Sequence, residues 1–310
     1  MLRQDKPALV HVQYTAPLFC PVPVVVSIHD VSFLEHPEYF TPWRRRQLEI
    51  TVSRTARTAA RIITGTEFSR DSIVRAYGID PARISVVPHA ANPMFRVISR
   101  ETAQRRVLNG LNISGPFVLC VGDLQPRKNH VGLIKAWAEL LKSHPQLPHT
   151  LVLTGQETWF ADRVHEAARE SGVRDRIQFT GFVSDEDLLN LYNACDCFVF
   201  PSYYEGFGIP ILEAMACGRA VACANTSSMP EVADGAGLLF DPYRVDEIVR
   251  ALRDILIDNQ LRARMERLGL QRAAGFTWQR AARMTLDVYQ NVANKKVSRK
   301  KKERVIVSAV

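Results

Sequence analysis

The chain has 310 residues, enough at roughly 150 per domain for two domains with real cores, which excludes a peptide or a lone binding motif. Hydrophobic residues make up 46% and charged residues 23%, which excludes disorder, a collagen-like repeat and a disulfide scaffold. The net charge of +8 sits mostly at one end: seven basic residues and Glu303 lie between Lys295 and Arg304, so that stretch carries +6 and the rest of the chain +2.

In chain order, short β-branched runs alternate with longer helical patterns, the signature of βα units. Strands are predicted at His11 to Tyr14, Val24 to His29, Arg61 to Gly65, Ile84 to His89, Phe117 to Gly122, Thr150 to Gly155, Ile177 to Thr180, Cys197 to Pro201, Ala220 to Ala224 and Leu238 to Phe240. They are apolar on both faces, as buried parallel strands require. Between them, Leu133, Ile134, Trp137, Leu140 and Leu141 form a helical stripe that puts Trp137 in a core. The fold class is therefore α/β, in two halves. Predicted boundaries are 1–98 for a first domain, 99–276 for a second, 277–294 for a C-terminal helix and 295–310 for a basic tail. The first half has four strands where a doubly wound half carries five or six, so residues are expected to be missing before Met1. The tail, without apolar periodicity, reads as a solvated end, with adsorption to an anionic membrane as its functional alternative.

The six cysteines include no CxxC and fit small buried hydrophobes in a reducing cytosol. Cys195 and Cys197 lack a second pair to complete a four-ligand site, so no metal is expected there. The run from Pro21 to Ile28 is far shorter than the ~20 residues of a membrane span, and no charged-then-apolar leader precedes it. A cytoplasmic location is expected, with peripheral contact at the inner membrane face as the tail's variant.

Chemistry concentrates in the stretch from Phe200 to Gly218. A strand ends near Ser202, a loop turns through Gly206 and Gly208, and a helix starts near Gly208 with Pro210 in its first turn. Amides around Phe207, Gly208 and Ile209 would lie at the positive end of that helix, so a phosphate is the natural guest. Glu205 and Glu213 bracket the loop. Glu213, a lone charge among apolar residues, is either a solvent-facing helix residue or a carboxylate aimed at a ligand, where it would suit a vicinal diol such as a ribose. Arg127 and Lys128 follow the strand ending at Gly122, at its carboxyl end. Alone they would read as an exposed turn; with the glycine loop in the same half they form a pyrophosphate clamp. No second glycine precedes Lys128, so this is no Walker loop, and Gly206 and Gly208 lack the third glycine of a dinucleotide fingerprint. Asp185 and Asp187 resemble a metal-binding DxD, but after Ser184 they read as a helix's acidic first turn.

Together these residues resemble family-4 retaining glycosyltransferases of the GT-B fold, with two facing Rossmann-like domains. The pattern Glu205 to Glu213 within Glu-Gly-Phe-Gly-Ile-Pro-Ile-Leu-Glu is the most specific part. The stretches from His29 to Phe40, Thr66 to Asp71, Pro126 to Asn129 and Thr180 to Leu188 resemble the mannosyltransferase subgroup that builds bacterial surface polysaccharides. The resemblance implies transfer of a mannose-like hexose, with retention, from a nucleotide diphosphate sugar such as GDP-mannose to a saccharide or lipid-linked acceptor. No metal or other cofactor and no nucleic acid are implied. Arg127 and Lys128 would hold the diphosphate, Gly206, Phe207 and Gly208 would offer amides, and Glu213 would bind the ribose. Glu205 would meet the sugar hydroxyls, and Phe182 and Val183 would receive the base. His29 would face the sugar across the cleft, its alternative being a hydrogen-bonded strand end; His89 is assigned a structural role. Lys128, Glu205 and His29 are the expected catalytic residues. Many relatives have an arginine where this chain has Asp123, and Arg127 would supply that charge. A non-catalytic nucleotide-sugar binding module, motivated by the short first half, is the main rival; an epimerase of similar fold is a third reading.

Overall fold

The computed structural model describes the backbone of residues 7–307 and the side chains of residues 7–294. All ten predicted strands form, most ending a residue or more before the apolar run does. They make two wholly parallel sheets in two compact units: residues up to His89 with those from Thr277 onward, and Ala90–Phe276.

In the first unit the sheet runs β1 (Val10–Gln13), β2 (Val24–Ser27), β3 (Arg61–Thr64) and β4 (Ile84–Val86) in sequence order. Successive residues point to opposite faces, and both faces are buried. Val26 and Ile62 join one core with Val52 and Ala56 of α2 (Pro42–Thr58), which follows the short α1 (Ser32–Glu35), and with Ile73 of α3 (Glu67–Tyr77). Val25 and Ile63 pack on the other side against Ala281, Val288 and Val292.

The second unit opens with α4 (Arg100–Leu111) and contains β5 (Phe117–Val121), β6 (Thr150–Thr154), β7 (Ile177–Gly181), β8 (Cys197–Phe200), β9 (Val221–Ala224) and β10 (Leu238–Phe240). Their spatial order is β10-β9-β8-β5-β6-β7. The chain thus builds outward from β5 in one direction, then returns to β5's other side with β8. Such a reversal leaves a crevice beyond the carboxyl ends of the two central strands. Trp137 of α5 (His130–Ser143) is fully buried, its indole N–H donating to the Arg176 carbonyl at 3.1 Å. The remaining helices are α6 (Ala161–Glu170), α7 (Asp185–Ala194), α8 (Ile209–Ala216), α9 (Met229–Ala233), α10 (Val245–Ile257) and α11 (Asn259–Ala274).

Two predicted boundaries are corrected. The first division falls at His89, not at residue 98, because residues 90–98 pack on the second unit. Phe95 meets Tyr192 edge to face at 5.6 Å, and the Ile98 N–H donates to Asn193 Oδ1 at 2.9 Å. The C-terminal helix is no separate module. It runs as α12 (Trp278–Val307), through the predicted basic tail, and belongs to the first unit. The basic side chains from Lys295 to Arg304 lie outside the described residues.

Candidate functional site

The strands flanking the reversal, β5 and β8, are direct neighbours, with Val118 opposite Cys197 and Leu119 opposite Phe198. The loops leaving their carboxyl ends therefore meet, and these carry the two motifs singled out in the sequence. Tyr203 N–H donates to the Arg127 carbonyl at 2.9 Å, and the Arg127 guanidinium donates to the Tyr204 carbonyl at 2.7 Å. Arg127 Nη1 lies 2.6 Å and Lys128 Nζ 2.8 Å from the same oxygen of Glu205. The ammonium of Lys128 also stands 4.7 Å above the Phe200 ring. Burial alone would push the Glu205 carboxyl up, but the two cations hold it down at about 2. Two cations against one carboxylate leave a net positive charge at the carboxyl ends of β5 and β8, a setting for an anion.

The neighbouring helix α8 adds to this. Gly208 caps it at φ +94°, a left-handed conformation that costs a side-chain-bearing residue more; in its first turn Pro210 has no N–H and the Ile211 N–H donates to the Gly208 carbonyl at 3.0 Å, so the helix contributes chiefly the positive end of its dipole. Phe207 buries its ring against Phe276, edge to face at 6.0 Å, so its side chain is not available to a ligand. Glu213, on the second turn, is no solvent-facing residue. The fully buried Tyr192 hydroxyl donates to its Oε2 at 2.9 Å. Burial pushes the Glu213 carboxyl up to about 7, against the lowering effect of Tyr192 and with Asp185 adding to the rise. Glu213 connects to Lys128 through rings: Tyr192 to Phe198 at 5.4 Å, Phe198 to Phe200 at 5.9 Å, and Phe200 under the lysine.

Phe182 and Val183 follow β7, two strands from β5 and so about 10 Å away along the sheet. Phe182 is 73% exposed, an uncovered aromatic face; Val183 is partly buried on the core. Asp123 is a loop residue whose carboxylate accepts the Gln156 N–H at 3.0 Å. Asp185 and Asp187 occupy the first turn of α7, where Ser184 is the cap and donates to Asp187 at 2.7 Å, while Glu186 pairs with Arg106. Cys195 and Cys197 are buried free thiols.

In the first unit, His29 follows β2. Its ring lies 5.6 Å from that of Tyr14 and 5.2 Å from that of His89, which in turn lies 6.3 Å from Trp278. Burial lowers the pKa of both histidines, that of His89 to about 4 with His29 contributing, so both rings are neutral at pH 7. Beside them a cavity of about 500 Å³ is lined by Gln13, Tyr14, Asp30, Phe40, Arg44 and Gln47, among others.

Four supporting residues were not anticipated as site residues. Asn129, left-handed at φ +55°, caps α5 and donates to the Pro242 carbonyl at 2.9 Å, fixing the turn that carries Lys128. Ser227 accepts the Glu205 N–H at 2.9 Å and Ser228 donates to the Glu205 carbonyl at 2.8 Å. Tyr192 holds Glu213. The run Thr226-Ser227-Ser228, two positions after a strand, was the available signal; Tyr192, inside a helix of mixed polarity, offered none.

Residues 103–272 match the family described as glycosyl transferases group 1, and residues 1–94 match Glycosyltransferase Family 4. An Escherichia coli O-antigen chain mannosyltransferase B is 36% identical over 269 residues, covering 86% of this chain and 70% of that protein. The serotype-specific mannosyltransferase WbdA of Escherichia coli is 29% identical over 271 residues, 86% of this chain but only 33% of its own length. The solved structure of Anabaena HepE, in complex with UDP and glucose, superposes with a TM-score of 0.72 at 22% identity, covering 88% of this chain and 72% of that one. The chain belongs to the group 1, family-4 glycosyltransferases, and its two parallel-sheet units have the GT-B fold.

Proposed function

We propose that this chain transfers a mannose-like hexose, with retention of anomeric configuration, from a nucleotide diphosphate sugar to a saccharide or lipid-linked acceptor in surface polysaccharide synthesis. The observation that carries the donor reading is the convergence of Arg127, Lys128 and Glu205 where β5 and β8 part, beside the amino end of α8. The names of the mannosyltransferase relatives and the UDP and glucose in HepE support it. In this reading the diphosphate takes the two cations from Glu205, which turns to the sugar hydroxyls. Gly206, Phe207 and Gly208 offer amides, Glu213 accepts the ribose hydroxyls, and Phe182 and Val183 receive the base. In the first unit, neutral His29 hydrogen-bonds a hydroxyl, and the polar and aromatic cavity beside it takes the acceptor saccharide.

Cleavage of the anomeric carbon–phosphate bond leaves negative charge on the departing diphosphate. Lys128, Arg127 and the positive end of α8 stabilise that charge without a metal, and the acceptor hydroxyl attacks from the face the diphosphate leaves. Loss of one preorganised donor typically costs ~10² to 10³ in rate. Lys128→Ala is therefore expected to lower transfer from GDP-mannose by at least that factor, while a chelator leaves the wild type active. Inhibition by the chelator overturns the metal-free mechanism. Calorimetry alongside separates the rival: donor binding by the wild type with neither transfer nor donor hydrolysis identifies a binding module. The anomer in the product, read by NMR coupling constants, tests retention.

A further inference from the structure

We propose that the outward face of α2, from Trp43 to Arg54, together with the adjoining Leu18 and Phe19, is a docking surface for an anionic lipid bilayer. Helix α2 turns Val52, Thr55 and Ala56 into the first unit's core. At 100° per residue the opposite stripe is Trp43, Arg46, Gln47, Ile50 and Arg54. This stripe should be uniformly polar in a helix that only covers a core. Instead Trp43 is 81% exposed and Ile50 is exposed as well. At the far end of the stripe, Arg54 donates to the Ala16 carbonyl and the Ala16 N–H donates to Thr55 Oγ1 at 3.0 Å. Those bonds seat the preceding loop against the helix, and a few residues on, that loop exposes Leu18 and Phe19, the latter 91% exposed. Large apolar side chains are thus exposed on this helical face and on the loop tied to its far end.

The charge identifies the occupant. Helix α2 carries five arginines and a single acid, Glu49, in a chain whose body outside residues 295–304 is otherwise close to neutral. Glu49 is half-buried and acts on Tyr77, away from the stripe. Arg44 and Arg45 lie in the first turn and Arg46 directly after it, and the first turn holds no acidic residue. The helix dipole disfavours cations there, so their placement costs the free protein stability. A dense sheet of phosphate headgroups offsets that cost, and a tryptophan at the edge of an arginine cluster has the amphipathic character that favours the headgroup layer. The side chains of Arg46 and Trp43 make no hydrogen bond, ion pair or ring contact with other described residues, so both are available to lipid.

The inference does not depend on the donor site, and its test keeps the two apart. The full chain is floated with vesicles of phosphatidylcholine alone or mixed with phosphatidylglycerol, as wild type, as Arg46→Glu and as Trp43→Ser/Ile50→Ser. Each basic residue near an anionic surface strengthens binding about fivefold. The wild type is expected to prefer the anionic vesicles by at least tenfold, with salt weakening the preference, and each variant is expected to lose at least tenfold. Donor affinity and melting temperature should stay unchanged in both. Brominated lipids provide a readout independent of any charge change: they should quench tryptophan fluorescence in the wild type and much less in Trp43→Phe. Unchanged flotation in both variants assigns the binding to Lys295–Arg304 and overturns the proposal. So does equal quenching in Trp43→Phe, or capture by polyglutamate but not by vesicles, which points to an acidic protein.

Discussion

Glu205 and Glu213 are the same residue type eight positions apart, yet their surroundings give them opposite acidities. Glu205 is ionised under all ordinary conditions because Lys128 and Arg127 outweigh its burial; Glu213 sits near neutrality because only the Tyr192 hydroxyl opposes its burial. A folded-state value raised from 4.5 to about 7 means that Glu213 favours folding below pH 4.5 and that this contribution is lost as pH rises through 7. Glu213→Gln should therefore melt at higher temperature than the wild type at pH 8, the gap closing towards pH 5. A nucleotide diphosphate sugar, whose own phosphates do not titrate there, should bind the wild type more weakly as pH falls from 8 to 6. The variant should bind weakly at both pH values. Titration calorimetry across this range checks the pair of expectations, and a flat wild-type profile contradicts the ribose role.

At the scale of elements, the site depends on two loops being short and tightly tied. Gly122 directly follows β5 and Gly155 directly follows its neighbour β6; a Cβ on Gly155 would stand 2.2 Å from the Gly122 carbonyl oxygen. Backbone cannot yield as a flexible side chain does, so Gly155→Ala should cost about 2 kcal/mol or more by denaturant titration. It should also weaken donor binding, since the displaced Gly122 packs against the Lys128 side chain. Much at this scale was legible in the chain. The ten strands, the cap at Gly208 and the acidic first turn after Ser184 follow from local patterns: β-branched runs, glycine at a positive φ, a serine before acids. The end of the first domain was less legible, because residues 90–98 have no regular pattern and attach through Phe95 and Ile98 to partners about a hundred positions away. The reach of α12 was equally hidden, since a run of lysines reads as solvated whether or not its backbone is helical.

For the molecule as a whole, the order of strands in the second unit matters more than their number. Because β8 returns beside β5, residues 127–128 and 205 meet although 77 positions separate Lys128 from Glu205. Hydrogen exchange with a nucleotide diphosphate sugar bound should accordingly show protection in two separate stretches, residues 122–130 and 203–213. It should leave the amides of α10 and α11 unaffected. Protection confined to one stretch would break the convergent site.

The chain by itself determined the α/β class, the strand positions, the pairing of an anion loop with two cations, and a family signature dense enough to survive without an alignment. These are local properties, set by side-chain chemistry over ten or twenty residues. Only the tertiary structure decided that Glu205 bridges both cations, that Tyr192 and the serines at 227 and 228 hold the acids in place, and that Trp43 remains outside the core. Each depends on residues distant in sequence brought within a few ångströms, or on the side of a helix left uncovered, and neither is encoded in any single stretch.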